Sequence, residues 1–169
     1  MTKISTSAVL GRTGIEISRL GYGAMEIRGG PNVSPVTGDQ VETLLNTVLD
    51  VGINFIDTSN DYGISEKLIG RYISHRRSEY YLATKCGCPP DGVKHIYTRD
   101  NLFRGLNESL KRLKTDHVDV LQLHGGSVEE IEQSGTVEVL EEMRRQGKVR
   151  WIGASISSRD KVLTLPSFL

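Results

Sequence analysis

The chain of 169 residues is 37% hydrophobic and 25% charged, a balance typical of one globular domain with a buried core. Lysine and arginine together number 21, as do aspartate and glutamate, so no excess of positive charge favours binding to nucleic acid or to an anionic membrane. The sequence contains no apolar run of signal-peptide type near its start and none long enough to span a bilayer. We therefore expect a cytoplasmic protein with a small-molecule partner and with neither a nucleic-acid nor a membrane partner.

The two cysteines, Cys86 and Cys88, are separated by a single residue, which is too close for an easy mutual disulfide. Free thiols in a reducing compartment are the expected state. No grouping of cysteine and histidine along the sequence has the spacing of a metal site, so no metal is predicted. Three histidines, His75, His95 and His117, are expected at the surface.

The N-terminal part of the sequence predicts a hairpin, a strand and a helix, in that order. Residues 11–14, Gly-Arg-Thr-Gly, are typical of a turn between two short strands. A first sheet strand is predicted over residues 20–24. An amphipathic helix follows, with Asp39 as its N-cap and Glu42 at the capping-box position, and Gly52 ends it.

The rest of the chain alternates strands with helices. Further strands are predicted over residues 53–56, 80–84, 118–123 and 149–154. Helices are predicted to begin near Ser65, Thr98 and Thr136, each with an apolar stripe or favourable end charges. Strict alternation implies a parallel sheet with helices packed outside it. We expect a single domain over residues 1–169, of the α/β class, with about five strands and four helices behind an N-terminal hairpin.

Four reactive side chains lie at or just beyond the ends of three predicted strands: Asp57, Tyr62, Lys85 and His124. In a parallel α/β barrel, chemistry gathers at the carboxyl ends of the strands. Taken singly, each residue also has a structural interpretation, such as an ion pair for Asp57 with Lys85 or a loop aromatic for Tyr62. Their joint order and placement favour a catalytic site over these separate roles.

The chemistry predicted for this group is proton transfer to a carbonyl oxygen. A tyrosine has an unperturbed pKa of about 10, so it exchanges protons near neutral pH only where a positive charge favours the phenolate. Lys85 can supply that charge to Tyr62, and Asp57 can hold the ammonium in place. His124 could hydrogen-bond the same reacting oxygen. Such a site requires a hydride partner.

Four segments resemble the motifs of the aldo-keto reductase family. They are LGRTGIEISRLGYG at residues 10–23, GINFIDTSNDYGISE at residues 52–66, LATK at residues 82–85 and DVLQLH at residues 119–124. The resemblance implies a (β/α)8 TIM barrel that binds NADP(H) without a Rossmann fold. It also implies that the enzyme reduces aldehydes or ketones, or oxidises the matching alcohols.

The resemblance also implies a role for each candidate residue. Tyr62 would be the general acid/base, Lys85 and Asp57 the pair that tunes it, and His124 the group that orients the carbonyl. Five residues would lie beside the nicotinamide cofactor: Gly23, Ala24, Met25, Asp57 and Ser155. The family often has asparagine directly after this serine, and the chain has Ile156 instead.

A barrel of this type usually has about 250 residues, so the chain supplies only part of one. A five-stranded sheet has two open edges and an uncovered inner face, which favours self-association. Two hypotheses follow from the sequence. The chain is a truncated or partial form of an NADP-dependent reductase, or it is a free-standing half-barrel that pairs with itself or acts as a non-catalytic binding module.

Overall fold

The computed structural model describes residues 6–30, 36–89, 95–127, 130–131 and 135–156. Within these ranges an antiparallel hairpin precedes a five-stranded parallel sheet with four α-helices. The hairpin consists of β1 (Ser7–Val9) and β2 (Glu16–Ser18). The sheet consists of β3 (Tyr22–Gly23), β4 (Phe55–Asp57), β5 (Tyr81–Cys86), β6 (Val118–His124) and β7 (Val149–Ser155). The α-helices are α1 (Gly38–Asp50), α2 (Ser65–Tyr72), α3 (Arg99–Leu113) and α4 (Thr136–Arg145).

The order of strands across the sheet is the same as their order along the chain, and all neighbours are parallel. The carboxyl ends of β3 to β7 therefore lie along one edge of the layer. In this register Gly23 lies beside Asp57, and His124 lies beside Ser155. The predicted alternation and parallel sheet are confirmed, and this edge is where the candidate residues fall.

The core lies between the sheet and its helices. Leu102, Leu106 and Leu113 of α3 are almost completely buried, and they belong to the same apolar cluster as Leu121 and Leu123 of β6. The leucines of α3 recur at helical spacing, so one stripe of that helix faces the sheet. Burying a leucine side chain contributes about 1.5–3 kcal/mol, which makes this layer contact the main source of stability for the framework of the site.

Two sequence predictions about local structure are corrected. The N-cap of α1 is Thr37 rather than Asp39, because the Thr37 hydroxyl accepts from the Gln40 amide at 3.3 Å while the Gln40 side chain accepts from the Thr37 amide at 2.8 Å. This reciprocal pair is a capping box, and it starts the helix two residues earlier than predicted. Strand β3 is only two residues long, because a 3-10 helix (Ala24–Ile27) follows it directly.

A second 3-10 helix, Ser74–Glu79, links α2 to β5. None of the helices that the structure describes combines the length and the hydrophobicity needed to cross a membrane.

Candidate functional site

The site begins with an ion pair between adjacent strands. Asp57 is the last residue of β4, and Lys85 is the next-to-last residue of β5. The Lys85 Nζ lies 2.6 Å from Asp57 Oδ1 and also donates to the Thr58 carbonyl at 2.9 Å. The Lys85 side chain is 4% exposed and the Asp57 side chain 33%. A buried ammonium needs such partners, and the predicted pairing of these two residues is observed.

Gln122 completes the coordination of the Asp57 carboxylate. Its Nε2 donates to Asp57 Oδ2 at 2.7 Å, so each carboxylate oxygen accepts one hydrogen bond and the orientation of the group is fixed. The sequence reasoning missed this residue. The available signal was its position two residues before His124, since alternate residues of a strand point to the same face.

Tyr62 lies in the loop between β4 and α2 and contacts both Lys85 and His124. The Lys85 Nζ is 4.8 Å from the centroid of the Tyr62 ring, within the range of a cation–π contact. The rings of Tyr62 and His124 meet edge to face, with centroids 6.3 Å apart. The structure thus brings all four predicted residues to one place at the edge of the sheet.

Gly63 holds the Tyr62 loop close to the preceding backbone. Its φ is +46°, a left-handed conformation, and a Cβ there would lie 2.2 Å from the Arg28 carbonyl oxygen. The next residue, Ile64, donates its amide to the same carbonyl at 2.9 Å. Only glycine fits this close approach, which anchors the loop directly after Tyr62.

His124, the last residue of β6, contacts side chains from two loops. Its Nδ1 lies 3.1 Å from the Cys88 Sγ and 3.4 Å from Asp61 Oδ2, and its carbonyl accepts from the Tyr97 hydroxyl at 2.9 Å. Burial lowers the pKa of His124, and the Asp61 carboxylate opposes that shift without cancelling it. The neutral imidazole is therefore favoured near neutral pH.

The environment of Cys88 also favours the neutral form of its thiol. The residue is 4% exposed, and burial raises the pKa of its thiol to about 12. Cys86 is completely buried in the core, where burial likewise raises the pKa of its thiol. Both cysteines are free, as predicted, but only Cys88 reaches the site.

His95, expected at the surface, lies next to the candidate site. His95 is half-buried, and its ring centroid lies 5.0 Å from that of His124. The loop returns to the sheet because the Ile96 amide donates to the Gly87 carbonyl at 2.7 Å, and the His95 ring stacks on Tyr97. The prediction for His75 is correct: it is exposed. His117 is partly buried and lies next to Asp116.

Potential ligand atoms of Cys88, His95 and His124 all lie within 4.8 Å of one another. The chain thus brings together a thiol and two imidazoles that could coordinate a cation. Their positions along the sequence gave no sign of this, because tertiary structure alone brings the two loop residues to the end of β6.

The residues assigned to the cofactor differ in accessibility. Gly23 is exposed, and apart from its chain neighbours no atom of the described residues lies within 4 Å of the position a Cβ would take. Met25 is 45% exposed, whereas the side chain of Ala24 is completely buried. Ser155 lies at the end of β7, in register with His124. Open surface therefore lies next to Asp57, on the side of β3.

Comparison with known proteins gives a consistent result. Residues 19–165 match the model of the aldo/keto reductase family. L-Galactose dehydrogenase of Arabidopsis thaliana is 37% identical over 161 residues, which cover 90% of this chain and 49% of that protein. The NADH-specific methylglyoxal reductase of Escherichia coli is 31% identical over 173 residues, which cover 90% of this chain and 52% of that protein. The chain spans about half the length of these curated relatives.

A solved structure shows the same fold. The holo form of the aldo-keto reductase AKR11C1 from Bacillus halodurans superposes with a TM-score of 0.81 at 28% identity. The match covers 96% of this chain and 53% of that one. The five-stranded sheet therefore corresponds to part of a (β/α)8 barrel, as predicted.

Proposed function

Because the chain belongs to the aldo-keto reductase family, we propose that it carries the proton-transfer site of an oxidoreductase that interconverts an aldehyde or ketone with the matching alcohol. The proposed cofactor is NADP(H), and the proposed general acid/base is Tyr62. The observation that supports this most directly is the Lys85 ammonium, which lies 2.6 Å from Asp57 and 4.8 Å from the Tyr62 ring.

Lys85 and Asp57 would act on Tyr62 through charge. An ammonium next to a phenol can stabilise the negative charge that develops on the phenol oxygen as its proton leaves. The hydrogen bonds from Lys85 and Gln122 to Asp57 fix the carboxylate, which in turn holds the ammonium beside the ring. Lys85 and Asp57 thereby tune the proton transfer that Tyr62 performs.

His124 would orient the substrate carbonyl. The Cys88 thiol, with its raised pKa of about 12, is protonated near neutral pH and lies 3.1 Å from Nδ1 of His124, so we assign the S–H as the donor to that nitrogen. In a neutral imidazole one nitrogen accepts and the other carries the proton, so this assignment puts the proton of His124 on Nε2. This N–H can donate to a carbonyl oxygen, the same oxygen that Tyr62 protonates.

The open surface beside Asp57 fits a planar ring. Gly23 contributes no side chain there, and the exposed Met25 offers an apolar contact. The Ser155 hydroxyl lies on the far side, at the strand next to His124, and can bind a polar substituent. When bound, the nicotinamide supplies or accepts the hydride.

Replacing the proposed acid while keeping its ring tests the assignment. Tyr62→Phe should lower kcat/KM for carbonyl reduction by about 10²–10⁴-fold, because general acid catalysis contributes that much. The affinity for NADPH, measured by fluorescence titration, should stay nearly unchanged. Tyr81→Phe, which removes a hydroxyl from the amino end of β5, serves as the matched control and should change neither quantity.

Loss of cofactor affinity together with turnover in Tyr62→Phe would contradict the role assigned to this residue. NADH should be titrated in parallel, since one of the relatives is named as NADH-specific. Tighter binding of NADH than of NADPH would overturn the NADP(H) part of the proposal.

A further inference from the structure

The cluster of Cys88, His95 and His124 has a chemistry that carbonyl reduction does not use. The chain has two cysteines and four histidines, and three of these six residues meet at the carboxyl edge of the sheet. Cys88 follows β5, His95 lies on the loop that returns from it, and His124 ends β6. A thiol and two imidazoles are the ligand types that zinc prefers in proteins.

We propose that Cys88, His95 and His124 form a binding site for Zn²⁺, and that Zn²⁺ bound there inhibits carbonyl reduction. A tetrahedral zinc with ordinary Zn–S and Zn–N bonds holds its sulfur and nitrogen ligands about 3.6 Å apart. The Cys88 Sγ and His124 Nδ1 are 3.1 Å apart, so this pair has to open by only a fraction of an ångström. The full set of ligand atoms lies within 4.8 Å, so His95 has to approach by about 1 Å, which a change in side-chain torsion can supply.

The proton balance of binding is simple. The metal replaces the proton of the Cys88 thiol, and that proton is released to solvent. The thiolate that forms becomes a ligand, and both imidazoles bind as neutral rings. No oxidant or reductant is required.

The charges around the cluster also favour a cation. Asp61 Oδ2 lies 3.4 Å from His124 Nδ1 and adds a negative charge at the edge of the site. Among the described residues, Lys85 acts on His124 with a positive charge, and its ion pair with Asp57 at 2.6 Å offsets much of that charge.

Inhibition would follow from the position of His124. Coordination fixes its ring relative to Cys88 and His95, and widening the contact between sulfur and nitrogen shifts the ring away from the geometry it has without metal. A misplacement of about 1 Å can lower a rate about 10²-fold, so even the smaller shift of His124 should lower turnover measurably. This inhibitory role rests on the proposed function, whereas metal binding itself does not.

Binding can be measured without any enzyme assay. Under reducing conditions, calorimetric titration should show one Zn²⁺ per chain. Cys88→Ala and His95→Asn should each weaken the affinity at least about 100-fold, since even indirect supports of a zinc site cost 10–100-fold when removed. The matched controls are Cys86→Ala, which removes the buried neighbouring thiol, and His75→Asn, which removes an exposed imidazole. Both controls should keep wild-type affinity.

Cobalt gives a second readout that reports sulfur ligation directly. Co²⁺ bound by the wild-type chain and by Cys86→Ala should show a thiolate-to-cobalt charge-transfer band, and Cys88→Ala should lack it. Circular dichroism of each variant shows whether it is folded. Absence of zinc binding by the folded wild-type chain, or equal affinity in Cys88→Ala, would overturn the site.

Activity then tests the inhibitory role. Micromolar zinc should lower carbonyl reduction by the wild type, a chelator should restore it, and His95→Asn should be active but insensitive to zinc. Zinc binding without loss of activity would overturn the inhibitory role alone. If the chain has no reductase activity, the proposed function fails, and the calorimetric and cobalt experiments still decide whether the metal site exists.

Discussion

The two ends of the parallel sheet each contain a carboxylate with a cationic partner, and the two groups differ in exposure and in surroundings. At the amino end, the Asp119 side chain is 2% exposed and accepts from Arg77 at 2.6 Å, from Arg150 at 2.9 Å and from the Leu82 amide at 2.9 Å. At the carboxyl end, the Asp57 side chain is 33% exposed and accepts from Lys85 and Gln122.

This difference separates a structural ion pair from a reactive one. The Asp119 carboxylate accepts from three donors, which tie β5, β6 and β7 together at their amino ends. Asp57 holds Lys85 beside Tyr62, next to the open surface at Gly23. In barrels of this type the carboxyl ends carry the chemistry and the amino ends carry stability.

The largest expected effect on stability comes from removing the charge of Asp119. Asp119→Asn leaves the partly buried Arg77 without its anion, so we expect the free energy of unfolding to fall by about 3 kcal/mol. The matched change, Asp57→Asn, should cost less, about 1–2 kcal/mol, because Lys85 keeps the Thr58 carbonyl as an acceptor and the new amide oxygen can also accept from it. Asp119, by contrast, pairs with two arginines. Urea denaturation followed by circular dichroism measures both values.

Equal losses in these two variants would break the comparison between the two ends of the sheet. A larger loss in Asp57→Asn would mean that the ion pair with Lys85 is chiefly structural. The informative quantity is the difference between the two losses in free energy of unfolding, because both variants replace a carboxylate with an amide.

A smaller effect is expected from two glycines buried in neighbouring helices. A Cβ on Gly70 of α2 would lie 2.1 Å from the Arg112 carbonyl of α3, so Gly70→Ala should force the helices apart and cost about 1–3 kcal/mol. Gly105 of α3 is the matched control, because a Cβ there would meet Asn60 Nδ2 at an ordinary 3.4 Å. Gly105→Ala should be neutral or stabilise by up to about 1 kcal/mol through helix propensity.

Thermal and urea unfolding of the two alanine variants would show which end of the layer is tightly packed. Gly70 lies near the carboxyl ends of α2 and α3, which run back toward the amino ends of the strands, whereas Gly105 lies close to the Asn60 loop of the candidate site. Stabilisation by Gly70→Ala would show that the helix contact relaxes without cost, contrary to the close packing described here.

The fold could be predicted because each element has a strong local pattern. The leucine stripe of α3 predicts a helix, and the apolar run of β6 predicts a strand. The alternation of strands with helices along the chain then predicts the parallel sheet. Helix starts were less certain, because Thr37 with Gln40 and Asp39 with Glu42 are overlapping patterns of the capping-box type. The prediction placed the cap at Asp39, whereas the first pattern is the one that forms.

The sequence could predict those residues of the candidate site that lie at or just after the ends of recognisable strands. Asp57, Lys85 and His124 follow apolar runs and so could be placed at one edge of the sheet. Cys88 and His95 reach His124 through loops, and contacts between residues so far apart in sequence follow from the folded structure rather than from spacing.

The smallest effect is expected from an exposed ion pair of the same length as the buried one. Arg99 Nη2 lies 2.6 Å from Glu142 Oε1, as Arg77 Nη2 lies 2.6 Å from Asp119, but the Arg99 and Glu142 side chains are 56% and 32% exposed. Glu142→Gln should therefore lower the free energy of unfolding by about 0.5 kcal/mol or less, and added salt should reduce even that. A loss close to that of Asp119→Asn in the same urea series would show that distance, rather than burial, determines the strength of these pairs, and the contrast drawn between the two ends of the sheet would lose its physical basis.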